Sequence, residues 1–373
     1  MARRDRRRAG PTLALPDALL DALERRGPLD APERLARITR GVLALKAGLT
    51  ADRAAFLRRR YLADAALREA YATYYLCANL PKLFPILDRL ADHLPAQMRV
   101  LELGAGPGTG VAAVGLWARG RGRMVQHHAT DAVPGNVTDA LALAAELGLD
   151  GVTAATHDLA QGLPATAPVD VALFMNVVNE LPPAGDARLV AELPGVLAPG
   201  GMVLVVEPAE RQASRRALAL RDRLVAAGWS IRAPCTHAAP CPALAAEDDW
   251  CHDEWAFERP AFMAAVDAKV GTRRQVLKAT WFAATPASVV HAADLARVVS
   301  ARRDEKGRSR VRICQHGALS WIERQHRDAS DANADFGDAS RFDLLRLAGE
   351  GTRRIGPADA CERVVEGQVG PPA

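Results

Sequence analysis

Aromatic side chains are scarce, at 5% of 373 residues, and only four are tyrosines. Alanine, leucine and valine must therefore fill the core, and a hydrophobic content of 49% supplies enough of them. No apolar run approaches the roughly 20 residues of a membrane-spanning helix. The start, MARRDRRR, is not followed by the continuous apolar stretch of a signal peptide. LALPDALLDALERR reads instead as a short amphipathic helix. No membrane partner is expected, and a cytoplasmic location is. The Gly-Lys-Ser/Thr of a phosphate-binding loop is missing. A dinucleotide fingerprint G-x-G-x-x-G fails by spacing: from Gly104 it needs glycine where Thr109 stands, and from Gly106 where Val111 stands. The short C-x-x-C knuckle of common zinc sites is absent as well.

What is present changes character along the chain. Leucines and alanines recur at helical spacing over residues 13–93, which predicts a helical region after a basic N-terminus, together residues 1–95. From residue 96 to 232, apolar strands alternate five times with helices, the pattern of a parallel, doubly wound α/β sheet. The fourth strand, VDVALFMNVVNELP, is apolar almost throughout and reads as buried on both faces. Residues 233–345 read as a cysteine-containing loop followed by antiparallel strands, with turns at Lys306-Gly307 and His316-Gly317. Residues 346–373, rich in Gly and Pro, read as a tail. The net charge of +4 and pI of 8.8 do not by themselves imply nucleic acid. MARRDRRR and the arginine-rich stretch 297–327 could each meet phosphate, or be no more than a solubilising tail and a solvated strand face.

The first strand runs into ELGAGPGTG, with Glu102 followed by glycines at 104, 106, 108 and 110. This E-x-G-x-G-x-G turn resembles the first motif of the class I S-adenosylmethionine-dependent methyltransferases. Glycines let the backbone approach a ligand closely, and that cofactor carries no phosphate to be cradled. The resemblance places Glu102, Gly104, Gly106 and Gly108 at the cofactor. It also places Asp131, at the end of the second strand, at the ribose hydroxyls and Asp158 at the adenine amino group. Asn176, near the end of the fourth strand, faces the same cleft. No catalytic residue is assigned. Asn179 and Glu180 are candidates, but a helix-start cap explains them as well.

Three cysteines, Cys235, Cys241 and Cys251, lie within 17 residues, flanked by proline and histidine. In a reducing cytoplasm such clusters more often serve metal or catalysis than disulfides. Cys314 is the best fourth ligand, and His237, His252 or His316 could replace a cysteine. Cys77 and Cys361 read as unrelated. Three readings stay open from the residues alone: an iron–sulfur cluster, structural zinc, or unlinked thiols.

Both features together resemble one family, the small-ribosomal-subunit methyltransferase-like proteins known as mitochondrial assembly factors (methyltransferase-like protein 17 in animals) and from bacterial relatives. The resemblance runs over about 60–340. It rests on YATYYLCANLPKLFPIL, VLELGAGPGTG, Glu207-Pro208, the arginine-rich helix after it, APCTHAAPCP…DWCH, and the late KGRSRVRICQHGALSW. It implies a [4Fe–4S] cluster held by Cys235, Cys241, Cys251 and Cys314, and binding to small-subunit rRNA. It leaves open whether the protein methylates RNA or serves as a catalytically inactive assembly factor. Three departures stand out: Ala209-Glu210 where the family has Gly-Thr or Gly-Ser, Phe336 where it has tryptophan, and acidic DASDANAD in place of a basic stretch. The competing expectation is a small-molecule methyltransferase with structural zinc.

Overall fold

The computed structural model describes residues 12–51, 53–349 and 351–366. The basic start MARRDRRR and residues 367–373 lie outside the described residues. The chain divides into two compact units, one of Thr12–Val206 with Ala256–Leu277, the other containing Glu207–Trp255 and the chain from Lys278 on.

The first unit opens with helices α1 (Asp17–Arg25), α2 (Pro32–Thr50), α3 (Arg53–Arg58), α4 (Ala65–Ala70) and α5 (Leu76–Leu90). Pro32 starts α2 at a position where a missing N–H costs nothing. Asp64 caps α4 by accepting from the N–H groups of Ala66 and Leu67 at 2.8 and 3.0 Å. Strands β1 (Gln97–Leu103), β2 (Met124–Asp131), β3 (Val152–Thr156), β4 (Val169–Met175) and β5 (Leu197–Pro208) then alternate with α6 (Thr109–Gly120), α7 (Pro134–Glu146) and α8 (Asp186–Val196). All pair in parallel, in the order β3-β2-β1-β4-β5. This is the Rossmann-like sheet that the sequence alternation predicts. The order reverses between β1 and β4, and in such sheets ligands bind outside the carboxyl ends of the strands at that point. Six of the seven β4 residues are buried, as its apolar run requires.

The second unit holds α9 (Arg211–Ala226), β6 (Ser230–Ala233) and most of β7 (Asp253–Ala256). The chain then returns to the first unit for α10 (Ala261–Val270) before β8 (Val276–Thr285), which pairs with β6 and β7. Beyond lie β9 (Leu295–Val298), β10 (Arg303–Glu305), β11 (Arg308–Gln315), β12 (Ala318–Gln325), α11 (Ala334–Gly337), β13 (Leu344–Leu347), β14 (Arg354–Ile355) and β15 (Cys361–Val364). They form a second sheet in the order β14-β12-β11-β9-β13-β15, with β10 on β11. Gly307 and Gly317, both with positive φ, turn the chain at the two expected places.

Two boundaries differ from the sequence reading. The helix α9, read there as part of the alternating series, groups with the cysteine segment. Residues 351–366, read as tail, supply two strands. The reason for the second is local: Ile355 and Cys361 are buried in one core with Val311, Ile313, Ile322 and Phe336. Phe336, one of the departures from the resemblance, is fully buried in that core.

Candidate cofactor cleft and cysteine cavity

At the end of β1 the glycine turn takes φ values of +72° at Gly104, +56° at Gly106 and +97° at Gly108. Such values strain any residue with a side chain. A Cβ on Gly104 would also stand 2.4 Å from Val177 Cγ2, and one on Gly108 2.9 Å from the Ala140 backbone. Gly106 differs: nothing lies within 4 Å of the place where its Cβ would sit. The turn therefore leaves an open surface at Gly106, where a ligand could approach the backbone.

Asp131 fixes that turn. Its Oδ2 accepts the Gly106 N–H at 2.9 Å, while Oδ1 accepts from the Val133 N–H at 2.8 Å and Asn136 Nδ2 at 2.9 Å. A carboxylate offers about four acceptor sites, so one remains for a ligand hydroxyl. Glu102 lies deeper. It is buried, 3.0 Å from Nε2 of the equally buried His127, and packed so closely under Gly110 that a Cβ there would meet its carboxylate. Its position is that of a support for the turn. His127 escaped the sequence reading, although strand alternation in QHHAT turns one of the two histidines inward.

Asp158 caps the short turn after β3, and its Oδ2 pairs with Arg60 Nη2 at 2.8 Å. Arg60 also donates to the Ala132 carbonyl at 3.2 Å. Asn176 adopts φ +58° and donates its N–H to the Val206 carbonyl at 2.8 Å. Beside it, Arg53 donates to Asn179 Oδ1, and Tyr61 donates its hydroxyl to Glu180 Oε1 at 3.1 Å. Tyr61 in turn stacks on Phe56, with ring centroids 4.8 Å apart. The stretch 53–61 is thus laid over the carboxyl ends of the strands, holding Asp158, Asn179 and Glu180. No local pattern in the sequence announces these pairs.

Burial pushes the Glu180 carboxyl up to about 7, against a smaller opposing effect of the Tyr61 hydrogen bond. An acid raised in the folded state contributes stability that is complete below its unfolded pKa of about 4.3. That contribution falls as pH rises and is gone above about 7. Glu180→Gln should therefore leave unfolding at pH 4 nearly unchanged. At pH 8 it should stabilise the protein by about 2 kcal/mol, allowing for partial exposure. Urea titrations at the two pH values measure the difference, and equal effects would refute the assignment.

The second unit brings the cysteine segment together. Cys235, Cys241, Cys251 and Cys314 line one cavity of about 50 Å³ with His237, Trp250, Trp281 and Phe342. That volume exceeds the roughly 10–15 Å³ needed for one water. Burial raises the thiols of Cys241, to about 12, and of Cys251 and Cys314, and the neighbouring thiols add to each shift. His237 Nε2 lies 3.3 Å from Cys314 Sγ. His316 is exposed and bonded to the Ala293 carbonyl, away from the lining. Cys77 and Cys361 are buried elsewhere. Among the described residues, no three Cys, His, Asp or Glu side chains converge on a point that could hold a metal ion. The four thiols surround a void instead.

Arginines hold the loop that carries them. The fully buried Arg221 of α9 donates to the carbonyls of His237 and Ala239. Asp222 beside it accepts the Cys241 N–H at 2.9 and 3.0 Å. Arg215 donates to the carbonyls of Ala243, Leu244, Ala246 and Asp249. From β9, Arg297 Nε donates to the Pro234 carbonyl at 2.8 Å. Trp250 donates to the Ala209 carbonyl at 3.0 Å, so the departure at Ala209 keeps a backbone role. These clamps explain why α9 groups with the loop. The arginines were legible in the sequence, but not their targets.

Among the described residues no helix is long and apolar enough to cross a membrane. No curated protein matches the chain. Solved structures overlap it partially. A S-adenosylmethionine-dependent methyltransferase from Thiobacillus denitrificans, in complex with S-adenosylhomocysteine, is 20% identical and covers 56% of this chain and 92% of its own, with a TM-score of 0.35. One from Geobacter sulfurreducens in the same kind of complex is 18% identical over 56% and 92%, with a TM-score of 0.36. TrmN from Thermus thermophilus is 25% identical over 40% and 42%, with a TM-score of 0.29. The fold assignment rests on the strand order and not on these overlaps. A family described as mitochondrial small ribosomal subunit Rsm22 matches residues 65–323, from the start of α4 through the sheet and the cysteine loop into β12. With that match spanning well over half of its length, the chain belongs to the Rsm22 family.

Proposed function

We propose that this is a cytoplasmic S-adenosylmethionine-binding, iron–sulfur-containing protein that acts on the small ribosomal subunit. It would do so as an rRNA methyltransferase or as an assembly factor built on that fold. The observation that carries the reading is the cavity itself: four thiols from two distant segments line one void, in a member of a small-subunit family. A single zinc ion sits at about 2.3 Å from each sulfur, which calls for thiols drawn together. A void of about 50 Å³ suits a group of several atoms better.

The cluster, when bound, supplies a rigid tie between the loop and β11. Cys235, Cys241, Cys251 and Cys314 would hold it, and Arg221 would offset the charge of the thiolates. In the cleft, the open backbone at Gly106 and the free acceptor site of Asp131 fit the methionine and ribose parts of the cofactor. A ligand reaching Asp158 has to share it with Arg60. Bound there, S-adenosylmethionine supplies an activated methyl group. The chain's contribution to transfer would be alignment of the acceptor, with Asn176 and Glu180 beside the cleft.

The test is anaerobic purification followed by iron, sulfide and zinc analysis of the wild type and of Cys314→Ser. About four iron and four sulfide per chain, lost in the variant, is the expected result. One zinc without sulfide would make the site structural and favour a small-molecule methyltransferase. No metal in either would sink the proposal.

A further inference from the structure

The face of the second sheet that carries Cys314 continues away from the cavity. In β11 the side chains of Ser309, Val311, Ile313 and Gln315 are buried, and those of Arg308, Arg310, Arg312 and Cys314 take the other, half-exposed face. On β12, Trp321 stands opposite Arg312 on that same face. On β10, Arg303 stands opposite Arg310. The guanidinium carbons of Arg303 and Arg310 each lie 4.9 Å from the Trp321 ring centroid. A half-buried indole is therefore overlaid by two arginines, one of them exposed.

The charge of this patch is only partly cancelled. Residues 301–312, ARRDEKGRSRVR, hold six basic side chains against two acidic ones, and Glu323 and Asp249 add carboxylates at Arg308 and Arg312. Carboxylates occupy several of the arginines: Asp304 takes Arg302, Glu305 takes Arg308 and Arg310, and Asp249 takes Arg312. Arg303 and Lys306 have no carboxylate partner among the described residues. Arg303 instead presents a flat cation at the surface, resting on Trp321.

We propose that this face binds single-stranded RNA, with the Arg303–Trp321 stack as a platform for a base and Lys306 as a phosphate contact. This rests on the small-subunit reading above and names the surface through which it acts. A planar guanidinium on an indole offers a base a π-surface and a positive charge at once. The strand that orients Arg310 toward Trp321 also carries Cys314, and Arg312 is paired with Asp249 two residues from Cys251. The cysteine loop thus braces the platform from one end.

The experiment measures binding of the purified full chain to small-subunit RNA and to a uridine oligomer of about 12 nucleotides, across a salt series. Arg303→Gln, at an exposed position, should weaken both by about tenfold, within the range for losing a base stack. Trp321→Ala should do at least as much and Trp321→Phe should restore most of it. Lys306→Gln should lower the slope of log K against log salt by about 0.7. Arg119→Gln, in the last turn of α6, is the control and should change neither. Wild-type affinity in Arg303→Gln and Trp321→Ala overturns the platform while leaving RNA binding intact. Failure of the wild type to bind either RNA overturns the platform and the small-subunit reading together.

Discussion

Arg221→Met should destabilise the second unit by about 3 kcal/mol or more and, on the cluster reading proposed above, lower the iron content of the anaerobically purified protein. Arg221 is fully buried, and its guanidinium serves the carbonyls of His237 and Ala239, inside the loop that carries Cys235 and Cys241. Hydrogen bonds to a charged group contribute roughly 1.5–3 kcal/mol each, and unpaired buried acceptors add a penalty. Methionine fills the volume but donates nothing, so packing is retained while the clamp is lost. Arg221→Lys should recover only part, because a single ammonium cannot span two carbonyls in fork geometry. Chemical denaturation and iron content measured on the same preparations check this. A variant that matches the wild type in unfolding and in measured iron content would show that the loop organises itself.

On the cofactor reading proposed above, Asp131→Ala should weaken S-adenosylhomocysteine binding roughly a hundredfold. The carboxylate has two roles: it accepts from Gly106, Val133 and Asn136, and it leaves one acceptor site for the ligand. Removing it would delete the proposed ligand contact and release the Gly106 amide, so the turn loses its preorganised shape. Asp131→Asn keeps the outline and can still accept through its oxygen, and should lose less. Titration calorimetry distinguishes them. Equal affinity for wild type and Asp131→Ala would mean that the cleft does not bind this ligand through its second strand.

The parts of the molecule legible in the sequence are those where the chain's own covalent chemistry is decisive. Glycine at 104, 106 and 108 answers a demand for positive φ that acts within single residues, so ELGAGPGTG could be placed without coordinates. The alternation of strand and helix is equally local, and β1 to β5 fall where the apolar runs are. Cys314 is the best fourth partner for the three cysteines of a distant loop on the residues alone, and the family resemblance agrees with it. What stayed hidden depends on partners far away in sequence. Arg60 meets Asp158 across 98 positions and Tyr61 meets Glu180 across 119. Neither pair leaves a trace in spacing. The short strands β6, β13 and β15, of four residues each, are too brief to establish a period. Their pairing supplies the order that their composition lacks.

The position of Cys314 has a consequence for the order of events during synthesis. Three thiols emerge together on one loop, but the fourth follows Cys251 by 63 residues, after the chain has passed back through the first unit and begun the second sheet. At roughly 5–20 residues per second, that is a delay of about 3–13 s. Through that interval the nascent chain carries an incomplete, three-thiol site. A site that closes only on β11 marks a chain whose later sheet has been made, and one truncated before residue 314 would lack its fourth thiol from the start.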